Sequence, residues 1–219
     1  MAEQRYPVII FDWDGTLMDS AAAIVESIQA ACRDLALPEP PDDRARHVIG
    51  LGLVDAMRHA VPELTEDRYS AMVDRYRHHY LSRDHELVLF AGVREMLDQL
   101  AAAGHFLAVA TGKSRLGLSR ALQVSGLAPC FHATRCADEC HSKPHPQMLE
   151  ELLAEFDVSP AQALMIGDTT HDLQMAENAV VDSVGVTYGA HPGTAFTSFA
   201  PRFVASNVPE LSAWLKANA

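Results

Sequence analysis

Short apolar runs that end in acidic residues or glycine are the feature of this 219-residue sequence that most restricts its fold. The first run, Val8 to Phe11, is rich in β-branched residues and apolar at every position. Such a run is typical of a strand that is buried on both faces, as in a parallel sheet. Similar runs occupy Phe106 to Ala110, Ala163 to Ile166 and Val180 to Val186. The sequence therefore predicts parallel strands at these four places.

Helix signals separate the predicted strands. Gly92 precedes a helical segment over 93–103, Gly104 closes it, and Ser206 or Asn207 is suited to begin the last helix. Alternating strands and helices predict an α/β fold whose core, residues 1–17 and 86–219, is a doubly wound, Rossmann-like parallel sheet. Residues 18–85 show helical periodicity without a strand-like run, which predicts a small all-helical cap domain inserted after the first strand.

Charge and composition exclude several classes of protein. The chain has 17 basic and 29 acidic residues and a net charge of -12, which would repel nucleic acid. The apolar run near the N-terminus is too short for a secretory signal or a membrane span, so we expect a cytoplasmic protein without a membrane partner. Four cysteines in a chain of this size do not require a disulfide framework. The sequence does not define an oligomeric state.

Two carboxylates follow the first predicted strand in the segment Phe11-Asp12-Trp13-Asp14-Gly15-Thr16. Ligands of open α/β sheets bind at the carboxyl ends of strands. Asp12 and Asp14 would repel each other there unless a cation or a shared proton lay between them, and oxygen ligands suit Mg²⁺. Thr16 adds a hydroxyl group. Taken alone, the two acids could equally cap a turn.

Three later segments carry further polar residues at strand ends or helix starts. Thr111 and Gly112 precede a helix whose backbone N–H groups could bind phosphate. Lys143 lies beside two prolines just before another helix. Asp168 and Asp172 are one helical turn apart after a buried strand and could reach the same metal ion. Each signal is weak alone, because turns often contain Thr and Gly and single lysines are usually solvated.

Together these segments resemble the four motifs of the haloacid dehalogenase superfamily, in the same order along the chain. The motifs are DxDGT at 12–16, Thr111, Lys143, and GDxxxD at 167–172. The segments Met18-Asp19-Ser20 and Gly50-Leu51-Gly52 and the position of the helical insert resemble the phosphoglycolate phosphatase-like subgroup with its helical cap.

The resemblance implies a role for each motif residue. Asp12 would be the nucleophile and Asp14 the general acid and base. The phosphoryl group would be held by Thr16, Thr111, Gly112 and Lys143. The cofactor Mg²⁺ would be bound by Asp12, by Asp14 through its carbonyl group, by Asp168 and by Asp172. Members that cleave carbon–halogen bonds lack an acid at the position of Asp14, because halide leaves without a proton.

The function implied is a Mg²⁺-dependent phosphatase that hydrolyses a small phosphomonoester, phosphoglycolate-like or a sugar phosphate, through an aspartyl-phosphate on Asp12. Two alternatives stay open. The phosphoryl group could pass to a sugar hydroxyl, as in a β-phosphoglucomutase. The chain could also bind a phosphorylated ligand without catalysis, since fold alone does not dictate activity.

Other residues give weaker signals. Cys136, Cys140 and His141 lack the paired C-x2-C spacing of a zinc site, so no zinc is predicted. Most of the eleven histidines are expected on solvated faces of cap helices, as for His78 and His79. Arg44, Arg46 and His47 could bind a substrate carboxylate, although solvent exposure is the simpler interpretation for each. Gly50 and Gly52 could let the cap backbone approach the substrate closely.

Overall fold

A six-stranded parallel sheet forms the centre of the protein. The computed structural model describes residues 4–83 and 86–219. The strands of the sheet are β1 (Val8–Phe11), β4 (Phe106–Thr111), β5 (Ala133–Cys136), β6 (Ala163–Gly167), β7 (Asp182–Val186) and β8 (Phe203–Ala205), and their order is β5-β4-β1-β6-β7-β8. Every neighbouring pair in this sheet is parallel. The predicted α/β fold is therefore confirmed.

Helices connect the strands and also form the insert. They are α1 (Ala21–Asp34), α2 (Asp42–His47), α3 (Leu53–Ala60), α4 (Tyr69–Ser82), α5 (Val93–Ala103), α6 (Arg115–Ser125), α7 (Gln147–Phe156), α8 (Thr170–Asn178) and α9 (Val208–Asn218). Gly92 and Gly104 flank α5, as predicted, and both adopt left-handed conformations. The side chain of Asn207 accepts a hydrogen bond from the Glu210 N–H and caps α9. None of the helices within the described ranges is long and apolar enough to cross a membrane.

Both faces of the sheet are covered, which makes the fold doubly wound. In β1, Ile9 and Phe11 pack into one apolar cluster with helices α5 and α9. Val8 and Ile10 point to the opposite face and pack with α7 and α8. Fully burying a large aliphatic or aromatic side chain contributes about 1.5–3 kcal/mol, so the central strand is firmly held from both sides. The carboxyl end of β1 is thereby fixed in the middle of the sheet edge.

The insert has a third apolar core of its own, built from α1 to α4 around residues such as Ile28, Met57 and Met72. The chain enters and leaves it through an antiparallel ribbon of β2 (Met18–Asp19) and β3 (Val88–Leu89). This ribbon was not predicted, because two-residue strands show no periodicity. The predicted boundary at residue 18 falls at the start of the ribbon, and the boundary at 85 lies outside the described residues.

In the six-stranded sheet, two strands were missed and one was placed too early. The missed strands β5 and β8 are edge strands, and β5 reads Ala-Thr-Arg-Cys, which is not an apolar run. The strand predicted to begin at Val180 begins at Asp182 instead. Val180 has a φ of 58° and is exposed, and it belongs to the turn after α8. Its β-branched side chain suggested a strand that the backbone does not form there.

Candidate active site

Three carboxylates and one ammonium group lie close together at the carboxyl edge of the sheet. Asp12 directly follows β1, Asp168 follows β6, and Asp172 lies in the first turn of α8. The Nζ of Lys143, which precedes α7, donates hydrogen bonds to Asp12 Oδ1 and Asp172 Oδ1, both at 2.6 Å. All four residues are buried, and one oxygen from each of the three acids lies within 4.8 Å of the others.

The charges of this cluster do not balance. Three carboxylates face a single ammonium group, so a full set of ionised side chains would carry an excess negative charge away from water. Burial raises the pKa of Asp12 to about 7, with Asp172 and Asp14 acting in the same direction and Lys143 in the opposite one. Burial and the neighbouring carboxylates also raise the pKa of Asp168 well above its ordinary value. Burial alone would lower the pKa of Lys143, but Asp12 and Asp172 raise it.

The donor set fits a divalent cation. Asp12 Oδ2 is buried and has no hydrogen-bond partner within the described part of the chain. Buried polar atoms normally have a partner, and a cation would supply one here. Carboxylate oxygens are the ligands that Mg²⁺ prefers. Asp172 has the weakest claim as a ligand, because its Oδ1 accepts from Lys143 and its Oδ2 from the N–H and hydroxyl of Thr169.

Asp14 is held by residues that the sequence interpretation gave no role. Ser20, from the start of α1, donates its hydroxyl to Asp14 Oδ1 at 2.7 Å. Lys113 lies 3.0 Å from Asp14 Oδ2 and also donates to the hydroxyl of Tyr80 on α4 at 2.9 Å. The available signal for Lys113 was its position, two residues beyond the strand end that carries the predicted site residue Thr111. No sequence pattern places Tyr80 beside it.

The remaining predicted phosphate-binding residues lie around this cluster with structural contacts of their own. Thr16 donates its hydroxyl to Asp168 Oδ1 at 2.9 Å. The buried Thr111 hydroxyl accepts the N–H of Lys113 at 3.2 Å. Gly15 has a φ of 81°, and a Cβ there would overlap the Asp168 carboxylate. A glycine is therefore required for the turn that carries Asp14 past Asp168.

Gly112 brings the insert against the core. A Cβ at Gly112 would lie 2.5 Å from the carbonyl oxygen of Gly50 and would also overlap that of Leu51. Gly52 in the same loop donates its N–H to the Ser142 hydroxyl at 2.8 Å. A Cβ at Gly50 would lie against Thr169, and one at Gly52 would lie against Ala137 and Ser142. These glycines therefore let the insert pack directly on the core beside the acidic cluster, and their expected approach to substrate stays a prediction.

Comparison with known protein families shows which family the chain belongs to. A family model described as haloacid dehalogenase-like hydrolase matches residues 9–186, a span that contains the acidic cluster, Lys143, Thr111 and the insert. The chain belongs to the haloacid dehalogenase-like hydrolase family. The resemblance inferred from the four motifs is thereby confirmed.

Individual relatives of this haloacid dehalogenase-like hydrolase agree. The probable phosphatase IndB of Dickeya dadantii is 36% identical, with 94% of this chain and 91% of that protein covered. A phosphoglycolate phosphatase of Vibrio vulnificus is 30% identical, with 96% of each covered. The crystal structure of a predicted phosphoglycolate phosphatase from Haemophilus somnus superimposes over 100% of both chains, with a TM-score of 0.87 and 27% identity. These comparisons confirm an enzyme of the phosphoric monoester hydrolase class and the similarity to the phosphoglycolate phosphatase-like subgroup.

Some histidines of this hydrolase depart from the expected solvated arrangement, although His78 on α4 is exposed as expected. His105 and His191 are buried. The rings of His47, His171 and His191 meet where the insert contacts the core, with centroids 5.1–5.3 Å apart. Nδ1 of His191 accepts the N–H of Thr170, so its ring proton is on Nε2, which lies 3.2 Å from the carbonyl oxygen of His47. Nε2 of His171 lies 2.6 Å from the same carbonyl oxygen, so the three histidines join the insert to the core.

Proposed function

We propose that this protein is a Mg²⁺-dependent phosphatase that hydrolyses a phosphomonoester through an aspartyl-phosphate on Asp12. The observation that carries the proposal is the buried cluster in which Lys143 bridges Asp12 and Asp172 beside Asp168, with Asp12 Oδ2 lacking a partner among the described residues. A nucleophilic carboxylate, a cation for the transferring phosphoryl group and a separate proton donor are what this reaction needs.

In the first step, the Asp12 carboxylate would attack phosphorus while the bond from phosphorus to the leaving oxygen breaks. Lys143 donates a hydrogen bond to Asp12 Oδ1 and so fixes the orientation of the carboxylate. Asp14, in its protonated form, would give its proton to the leaving oxygen, which departs as an alcohol. Ser20 and Lys113 hold the two oxygens of Asp14 and fix its orientation.

In the second step, water would attack the phosphorus of the aspartyl-phosphate and break its bond to Asp12. Asp14, now a carboxylate, would take the proton of that water, and inorganic phosphate would leave. We place Thr111 and Lys143 on the phosphoryl oxygens, with Thr16 and Gly112 supporting the loops around them. Mg²⁺, bound by Asp12, Asp168, the Asp14 carbonyl and Asp172, would offset negative charge on the phosphoryl group and favour the ionised form of Asp12.

The insert, residues 18–85, would act as the cap that closes over the substrate and excludes water. Tyr80 on α4 reaches Lys113, and therefore the group that protonates the leaving oxygen, from the insert side. Arg44 and Arg46, considered for a substrate carboxylate, do not line the large cavity between insert and core. The names of the relatives make phosphoglycolate the first natural substrate to test.

The test is phosphate release from p-nitrophenyl phosphate and a panel of phosphorylated metabolites, with Mg²⁺ or with EDTA. We expect Mg²⁺-dependent turnover by the wild type, and its loss in Asp12→Asn without loss of the fold. Asp98→Asn, which changes an exposed acid on α5, is the matched control and should keep full activity. Activity retained in Asp12→Asn would refute the nucleophile assignment. Conversion of β-glucose 1-phosphate to the 6-phosphate without phosphate release would identify a mutase instead.

A further inference from the structure

A large cavity lies between the insert and the core and reaches Asp14. Its volume is about 1270 Å³. Pockets for drug-sized ligands usually measure roughly 300–1,000 Å³. Asp14 is the residue proposed to protonate the leaving oxygen, so the cavity lies where the alcohol part of the substrate would be bound. Its shape and walls therefore bear on the substrate.

The volume does not come from an insert that is separated from the core. The Gly50–Gly52 loop contacts Gly112 closely, and Gly52 is hydrogen-bonded to Ser142. On another side of the cavity, Tyr80 of the insert is hydrogen-bonded to Lys113 of the core. The cavity persists although contacts between insert and core are already made at both places.

The cavity is much larger than a two-carbon leaving group requires. Phosphoglycolate has nine non-hydrogen atoms, which at about 30 Å³ each, the share of a water molecule in the liquid, occupy about 270 Å³. That is roughly a fifth of the space. A substrate of this size would leave the rest of the cavity filled with water beside a reaction from which water is better excluded.

The walls of the cavity are mainly apolar and aromatic. Trp13 lies on the core side, and Tyr76 and Tyr80 on α4 stack with centroids 5.8 Å apart and planes inclined by 23°. On the core side, Leu116 and Val124 of α6 also line it and are 82% and 65% exposed. Large apolar side chains that line a cavity yet remain accessible to water gain free energy when an apolar ligand covers them.

We infer that the natural phosphomonoester carries a large, mainly apolar leaving group of the aromatic class, bound between α4 and α6. This inference rests on the proposed phosphatase function and narrows its substrate. Tyr76 and Tyr80 would contact the ring system, because aromatic side chains supply large contact areas with specific stacking geometry. Lys113 and Asp14 would meet only the oxygen end of the alcohol.

The test compares phenyl phosphate, 2-naphthyl phosphate and estrone 3-phosphate, whose phenolic leaving groups have similar acidity but increasing size, with phosphoglycolate alongside. We expect kcat/KM to rise at least tenfold from phenyl to 2-naphthyl phosphate and not to fall for the steroid. Leu116→Asp, at a largely exposed position, should reduce the naphthyl-to-phenyl ratio of kcat/KM at least tenfold. Val180→Asp, exposed and remote from the cavity, should leave that ratio unchanged.

The outcomes separate this inference from the proposed function. A flat or falling series, or a higher kcat/KM for phosphoglycolate than for every aryl ester, would overturn the inference and leave the phosphatase function intact. The same holds for a rising series that Leu116→Asp does not alter, since the preference would then arise elsewhere. Release of phosphate from other members of the metabolite panel but from none of these four esters would also overturn the inference alone. No release from the four esters or from any member of the panel would overturn the phosphatase function and the inference with it.

Discussion

Replacing Lys143 by methionine tests whether the acidic cluster is held together by charge. The substitution keeps most of the side-chain volume but removes the ammonium group that donates to Asp12 and Asp172 at 2.6 Å. Removing one partner of a buried ion pair typically costs about 3–5 kcal/mol, because the other charge stays buried without compensation. Two carboxylates lose their partner here, so we expect the upper half of that range.

This cost is large against the stability of a typical protein, about 5–15 kcal/mol. For a chain of this size, 1 kcal/mol shifts Tm by roughly 2–4 °C, so Lys143→Met should melt about 8–20 °C below the wild type. The measurement is urea and thermal unfolding in EDTA, followed by circular dichroism. Lys216→Met, at an exposed position on α9, is the control and should change stability by less than about 0.5 kcal/mol.

A double variant keeps the prediction informative if Lys143→Met does not fold. Adding Asp12→Asn removes one of the uncompensated charges, so the double variant should regain part of the lost stability. Lys143→Met within about 1 kcal/mol of the wild type in EDTA would refute the reasoning, and so would a double variant less stable than Lys143→Met. Either result would mean that the carboxylates do not depend on Lys143 for compensation.

Three further results are expected. In EDTA the wild type should lose stability as pH rises from 3.8 to about 7 and should level off above that, since folded Asp12 has a pKa of about 7 against an ordinary 3.8 and the folded state binds more protons between these values. Unfolding measured from pH 5 to 8.5 should show a weaker decline in Asp12→Asn, and an equally steep decline would contradict the assignment. Gly112→Ala should lower kcat/KM at least about tenfold, because its Cβ would overlap carbonyl groups of the insert loop. The control Gly117→Ala, whose Cβ meets only ordinary contacts at 3.4 Å or more, should stay active and gain up to about 1 kcal/mol of stability. Equal activities of the two variants would show that the insert loop need not approach Gly112. Lys113→Met should lower kcat about tenfold or more, because Asp14 would lose the ammonium group that holds its Oδ2. This change is equivalent to about 1.4 kcal/mol or more of activation free energy. An unchanged kcat in steady-state assays would show that Lys113 has no role in the reaction.

The sequence predicted the central fold because its buried strands are marked by composition. Val8 to Phe11 and Ala163 to Ile166 are apolar throughout, and both are paired in the middle of the sheet. The edge strand Ala133–Cys136 contacts water on part of its surface and carries an arginine, so it has no such mark. The two-residue ribbon is defined by pairing across the insert, about seventy positions apart along the chain, and local patterns do not record it.

The site, like the fold, was predicted where local sequence marks it and missed where it depends on contacts between distant parts of the chain. Asp12, Lys143, Asp168 and Asp172 were picked out by motif spacing, and the structure brings them into one buried cluster. Their roles in catalysis and metal binding stay predictions. Tyr80 could not be picked out, because its contact with Lys113 depends on how α4 docks on the core. The cavity could not be predicted from the sequence either, because its walls combine α4 and α6 from separate parts of the chain.

The ribbon that joins insert and core has a consequence for how this protein can change. Met18 pairs with Leu89 and Asp19 with Val88, so the chain leaves the core and returns to it at adjacent points. From the core, the whole insert is equivalent to one long hairpin loop, and closing a longer loop costs little extra entropy. The insert can therefore be lengthened, shortened or exchanged as a cassette, and selectivity can evolve there while the reacting groups stay in place.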